Sequence, residues 1–151
     1  MDTKSERVLF SLVNGKRNSI NRRIAEYISH SKIKYKRDTN LYLIFAESEE
    51  RELPYTVYIG KTVNTIMTRY KQHLYSVRKC IDGSHKWSSK YRWMANVISN
   101  EVDLRVISLG KVPKNRAYEF EKEWITFFKD NDFNVINRDN NKYYEYNVFD
   151  I

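Results

Sequence analysis

The stretch YTVYIGKTVNTIMTRYKQHLYSVRKC, residues 55–80, changes its period part-way along. Residues 55–60, YTVYIG, are rich in strand formers and end on a glycine, which reads as a short β-strand. Beyond Gly60, Val63, Met67, Tyr70, Leu74 and Val77 recur at alternating steps of four and three. That spacing predicts an amphipathic helix over 61–80 with these five residues facing a core. Arg69 and His73 are four apart, so they share one face of that helix. A strand, a glycine and a helix carrying a fixed cation and an imidazole form the nucleus of the reading.

Working outward, residues 40–46, NLYLIFA, form a second apolar run of strand formers. A charged stretch, AESEERELP, separates the two runs, so they are expected to pair as an antiparallel hairpin with a long loop. IDGSHKWSS interrupts the pattern after Cys80. KYRWMANVIS then predicts a short helix with Tyr91, Met94, Ala95 and Ile98 inward and Trp93 in the core. Residues 102–109, VDLRVISL, alternate as a strand does, closed by Gly110 and Pro113. Residues 115–129, NRAYEFEKEWITFFK, return to helical spacing. A turn-rich segment with a short FNVI piece follows, and the aromatic tail YYEYNVFDI is expected to pack back onto the body. The expected fold class is a small α/β domain. About three strands, mostly antiparallel, are flanked by helices 61–80 and 115–129.

The order of chemistry along these elements resembles the GIY-YIG nuclease superfamily. Asn40-Leu41-Tyr42 stands for its first triplet, with Asn and Leu where the family usually has Gly and Ile. Tyr58-Ile59-Gly60 is the second triplet. Arg69 and His73 follow on the next helix, then Glu121-x-x-Trp124-Ile125, then Asn134. The resemblance covers residues 39–137. It implies a divalent-metal-dependent DNA endonuclease that hydrolyses phosphodiester bonds. Its fitting roles include restriction, mobile-element and phage DNA-degrading enzymes. A catalytically inactive or RNA-directed nucleic-acid-binding module on the same fold is the alternative. By this resemblance Tyr42, Tyr58, Arg69, His73, Glu121, Asn134 and Lys61 form the catalytic set. Glu121 holds one Mg²⁺ or Mn²⁺, and one tyrosine, Tyr42 by preference, takes the proton of the attacking water.

Each residue type suits such a role. A guanidinium is always charged and matches phosphate oxygens as a fork. An imidazole can hold water or shuttle a proton near neutral pH. One carboxylate with waters and a substrate phosphate suits Mg²⁺. An ordinary phenol, with a pKa near ~10, needs a neighbouring cation such as Lys61 or Arg69 to act as a base. Taken singly, the tyrosines read as core aromatics, Arg69 and His73 as a surface pair, and Glu121 as a solvated edge. Glu119 and Glu123, two positions away on the helix, point elsewhere and are expected in solvent.

Composition bounds the remaining possibilities. The chain has 151 residues and a formal charge of +8, with 15% aromatic residues and one cysteine. That aromatic load argues against disorder. A single cysteine excludes an internal disulfide framework. No apolar run is long enough for a membrane span or a secretory signal, so a cytoplasmic protein with no membrane partner is expected. Residues 1–38 hold ten Lys/Arg against four Asp/Glu, whereas residues 81–151 hold eleven of each. A clustered basic excess is the footprint of a polyanion binder. Residues 1–38 are therefore expected to form a basic extension, with a helix over 20–30 capped at Asn18 or Ser19, that contacts double-stranded DNA or a second copy of the chain. Lys16, Arg17, Arg22, Arg23, Lys32, Lys34, Lys36 and Arg37 are its candidate contacts, joined by Lys86, Trp87 and Lys90 further along. Residues 39–137 form the nuclease-like domain and 138–151 the tail. With one site per chain, cutting both strands is expected to need a homodimer, a higher oligomer or two sequential nicks.

Overall fold

The computed structural model describes residues 4–30, 37–46 and 56–137. The charged loop between the two expected strands, the cations Lys32, Lys34 and Lys36, and the tail 138–151 fall outside them. Helix α1 (Lys4–His30) leads into strands β1 (Arg37–Ala46) and β2 (Thr56–Thr62). Helices α2 (Ile66–Ile81) and α3 (Ser89–Ser99) follow, then β3 (Leu104–Pro113). A single 3-10 turn, Lys114–Arg116, opens α4 (Ala117–Asp130), and β4 (Asn134–Val135) closes the described chain.

Among the described residues the sheet has four strands in the order β3-β1-β2-β4. β1 runs antiparallel to both neighbours, and β4 runs parallel to β2. The expectation of about three strands is corrected by β4. The FNVI piece is short, but its Asn134 and Val135 pair with Thr56 and Val57, so the sheet is mixed.

Alternation along β1 sends side chains to two separate cores. Leu41, Leu43 and Phe45 join Val57 and Ile59 on one face, under α1 and α4. Tyr42, Ile44 and Ala46 join Val77, Trp93, Met94 and Val97 on the other, under α2 and α3. Phe128 anchors the first core, stacked with Trp124 and edge-on to Phe133.

Three boundaries differ from the sequence reading. α1 is one helix of 27 residues, not a helix starting near Asn18. Leu9, Val13, Ile20 and Ile24 form its buried stripe, at steps of four, seven and four. The polar run Gly15–Ser19, which reads as a break, lies between turns of that stripe. Glu6 near the start of α1 is 1% exposed and is held by Arg105 of β3. α1 is thus packed onto the body and shares its core with α4.

The second difference is in α2. β2 continues to Thr62, and Thr65 caps a helix that begins only at Ile66, its hydroxyl accepting the Thr68 N–H. The inward residues are His73, Val77 and Cys80, while Val63 and Met67 are 64% and 53% exposed. A similar rotation affects α3, where Trp93, Met94 and Val97 face inward and Ile98 faces out.

The third is in β3, which does not stop at Gly110. The register with β1 shifts between Leu41 and Tyr42, opposite Gly110 and Ser108, which marks a bulge. Gly110 has φ +114°, a conformation open to glycine, and it lets the strand continue to Pro113.

The Leu9 side chain is fully buried, so Leu9→Ala is expected to cost about 2–5 kcal/mol in urea denaturation. A loss under about 0.5 kcal/mol would mean that the N-terminal half of α1 is not packed.

Candidate active site

Pairing of β1 with β2 places Tyr42 opposite Gly60, and Tyr58 opposite Ile44. Both phenols therefore emerge on the α2/α3 face, with ring centroids 6.4 Å apart. The ring of Tyr42 lies directly over Gly60. A Cβ at position 60 would stand 2.2 Å from the Tyr42 Cζ and 2.3 Å from its oxygen. The glycine that ends the YIG triplet thus serves close approach of a ring, and its strand continues past it.

His73 drops from α2 onto this pair. Its ring is fully buried, 5.6 Å from the Tyr58 ring and 6.0 Å from the Tyr42 ring between centroids. The Tyr42 hydroxyl and His73 Nε2 are 2.7 Å apart. The Tyr91 hydroxyl, from α3, stands 3.4 Å from His73 Nδ1. Burial, then the charges of Lys90 and Arg69, push His73 down to about 3. The ring is therefore neutral at physiological pH, with one nitrogen donating and one accepting.

The phenols are shifted the other way. Burial pushes Tyr42 up to about 12, although the charge and hydrogen bond of Arg69 work to lower it. Tyr58 is raised further, by burial first and then by Tyr42 and Glu121. The expectation that a nearby cation makes a phenolate meets a correction here. Arg69 does act on both rings, but desolvation wins, and both hydroxyls keep their protons in the free protein.

Glu121 reaches the same place from α4. Its charge acts on both phenols, and its Oε1 lies 3.4 Å from Lys61 Nζ. Lys61 in turn sits over the exposed ring of Tyr118, 5.3 Å from its centroid. A cavity of about 350 Å³ opens between these elements, lined by Tyr58, Ser88, Ser89, Lys90, Tyr91, Glu121, Ile136 and Asn137. Glu121 is the one carboxylate among these lining residues. Its side chain is 16% exposed, so its oxygens border a space that can also take waters and a phosphate. That donor set fits a Mg²⁺ ion, which keeps several waters.

Tyr42, Tyr58, Arg69, His73, Glu121 and Lys61 thus gather at one end of the sheet. Asn134 does not join them. Its amide donates to Thr56 Oγ1, at the opposite end of β2 from Lys61. Asn137 takes the cavity position instead: its Oδ1 accepts the Ile59 N–H at 2.9 Å, and its Nδ2 donates to the Ile59 carbonyl. In sequence Asn137 sits within NRDNN, which reads only as turn chemistry. Tyr91, read as a core aromatic, was the other contributor missed; only its place in the first turn of α3 could have hinted at it.

The basic residues divide. Lys16 and Arg23 both pair with Glu123, which is therefore bound and not solvated as expected. Arg17 donates to the Ser108 carbonyl and to Asn14. Arg22 faces solvent, and Arg37 opens β1. Lys90 lies in the cavity wall, 5.1 Å from the Tyr58 ring centroid and 4.8 Å from that of Tyr91. Lys86 and Trp87 are exposed just before α3. Glu119 pairs with Arg116 within the first turn of α4. Cys80 is buried, its thiol 3.3 Å from the Lys86 carbonyl, and is raised by burial.

Comparison of the chain with family models, curated proteins and solved structures finds no significant match. Among the described residues, no helix is long and apolar enough to cross a membrane.

Two expectations follow from the geometry. Gly60→Ala forces the Tyr42 ring off its histidine and is expected to cost about 1–3 kcal/mol, the range for overpacking a filled core. Urea denaturation measures it, and an unchanged midpoint contradicts the close approach. The second concerns acid. His73 is lowered from an ordinary value of 6.5 to about 3, so between these pH values the unfolded chain binds the extra proton. Stability is present above pH 6.5 and drains as pH falls, with His73 contributing about 2 kcal/mol of loss between pH 7 and 5. His73→Gln should flatten that part of the profile; an identical profile would mean that His73 is not held neutral.

Proposed function

We propose that this chain is a metal-dependent endonuclease of the GIY-YIG type, hydrolysing phosphodiester bonds in DNA. The observation that carries the reading is the meeting of two phenols, a guanidinium, an imidazole, an ammonium and one carboxylate from β1, β2, α2 and α4 at one end of the sheet, where Tyr58 and Glu121 line a cavity. Hydrolysis of a phosphodiester needs a deprotonated water, charge stabilisation on the phosphoryl oxygens and help for the departing oxygen. Arg69 and Lys61 supply fixed positive charge for the second need. Glu121 would hold the divalent ion, which supplies polarisation of the phosphate and stabilisation of the leaving oxygen.

The first need falls to Tyr42. Its hydroxyl is the one paired with a neutral imidazole at 2.7 Å. With Tyr91 accepting from Nδ1–H, His73 presents the Nε2 lone pair to Tyr42. The phenol can then pass its own proton to His73 as it takes one from water. In the free protein burial first, and then the charges of Lys90 and Arg69, oppose a second proton on His73. A phosphate bound beside those cations offsets their share, so substrate itself raises the proton affinity of the relay. Tyr58, in the cavity wall, orients the water or the phosphate.

In this reading the duplex would lie on the α2/α3 side of the molecule, where Lys90 lines the cavity and Lys86 and Trp87 are exposed just before α3. Lys16, Arg17 and Arg23 hold α1 to the body, which leaves Arg22 as the outward cation of that group.

Supercoiled plasmid with Mg²⁺ is the test. The wild type is expected to nick and linearise it, and Glu121→Gln to lower the rate at least ~100-fold, the scale for losing a catalytic electrostatic partner. Tight binding of the plasmid without cutting would favour a binding module, and preferential cutting of structured RNA would move the substrate class.

A further inference from the structure

α2 has two faces of opposite character. His73, Val77 and Cys80 point into the body. Lys71, Tyr75, Arg78 and Lys79 lie on the other side of the same helix, at steps of four, three and one. Tyr75 is more than half exposed, and the Lys79 ammonium lies 5.3 Å from its ring centroid. The loop that follows is tied to the end of the helix. The Lys79 carbonyl accepts the N–H of Ser84 at 2.9 Å and that of His85 at 3.1 Å, and the Cys80 thiol lies 3.3 Å from the Lys86 carbonyl. Lys86 and Trp87, both exposed, are thus held beside the C-terminal end of α2.

This face carries an unbalanced charge. Residues 66–100 hold seven Lys/Arg against one acid, Asp82, which lies 3.9 Å from Lys79. Among the described residues, no carboxylate pairs with Lys71, Arg78 or Lys86. α1 differs, because Lys16 and Arg23 are spent on Glu123 and Arg17 on the Ser108 carbonyl. Cations gathered on one face repel each other and any second copy of that face, and their field attracts a polyanion.

We propose that the outer face of α2, with the loop that follows it, docks the phosphate backbone of a DNA duplex. Lys71 and Lys79 are eight residues apart, about 12 Å along the helix axis. A duplex presents about seven phosphates over that length. A row of cations with one tyrosine suits a duplex backbone, whereas a single strand calls for successive aromatic platforms. The exposed apolar side chains Tyr75, Ile81 and Trp87 are interspersed with cations along the chain, without the broad apolar face that a lipid surface requires. Contacts to phosphate position a duplex without reading its sequence. The choice of DNA over RNA rests on the nuclease reading, but the polyanion face itself does not need catalysis.

The test is fluorescence anisotropy of a labelled DNA duplex with the full chain, without divalent metal, between about 50 and 200 mM KCl, where phosphate contacts show their salt dependence. With Lys71, Arg78, Lys79 and Lys86 each on a phosphate, log affinity is expected to fall against log salt with a slope of about −4. The variant carrying Lys71→Gln, Arg78→Gln and Lys86→Gln should make that slope shallower by about 3, and each substitution alone by about 1. The single variants keep the test open if the triple one melts early. Arg7→Gln with Lys111→Gln, two exposed charges on α1 and β3, should leave the slope as it is. No duplex binding, a slope that the α2 variants leave unchanged, or an equal loss in the α1/β3 variant overturns the proposal. So does tighter binding to phosphatidylserine vesicles or to duplex RNA than to the DNA duplex. Plasmid cutting by the wild type alongside such a result rejects the docking face alone. The expected loss of slope, with no plasmid cutting by the wild type, keeps the face and rejects the nuclease.

Discussion

Tyr42 lies flat across β2 because position 60 has no side chain, and the rest of the site is built on that contact. With the ring in place, its hydroxyl meets His73 at 2.7 Å, which ties β1 to α2 through the core. His73 then has α3 on its other nitrogen through Tyr91. One missing methyl group therefore lets three layers of polar side chains stack inside an apolar face. A buried polar chain of this kind is stable only while every member has a partner. Here the partners are supplied by β1, α2 and α3, so the site and the packing of that face stand or fall together.

The electrostatics follow from the same burial. Desolvation holds the phenols protonated against the pull of Arg69, and together with the charges of Lys90 and Arg69 it holds the imidazole neutral. The resting site has its protons parked, and the charges at its rim are cations with one carboxylate. In the nuclease proposed above, a phosphate bound there would offset the part of this restraint that Lys90 and Arg69 supply.

Much of this was legible in the sequence. Period and spacing placed the strand that ends in YIG and the helices that carry Arg69, His73 and Glu121; that these side chains belong together was implied by the GIY-YIG resemblance, and the structure brings them near one another. The failures have physical causes. Periodicity counted Val63 and Met67 as inward because they are apolar, yet the buried face of α2 runs through His73, a residue that hydropathy assigns to solvent. Gly110 read as a strand stop because a bulge is a tertiary event, set by what β1 needs opposite Leu41 and Tyr42. Asn134 was named because the GIY-YIG resemblance implies an asparagine after Phe133, while Asn137 was read only as part of a turn. Only the registry of β4 against Thr56 and Val57 decides which one reaches Ile59. The basic N-terminus looked like a free arm because charge was visible and the spaced stripe of Leu9, Val13, Ile20 and Ile24 was not weighed across its polar interruption.

The account stands on Glu121 sharing a cavity with Tyr58, beside Tyr42 and His73, and Mn²⁺ reports that directly. Titrated into the isotopically labelled protein, the ion should broaden the NMR signals of Tyr58, Lys90, Tyr91, His73 and Asn137 first, and Glu121→Gln should abolish the effect. Broadening centred on other carboxylates, such as Asp82 or Asp103, or broadening that persists without Glu121, would contradict it.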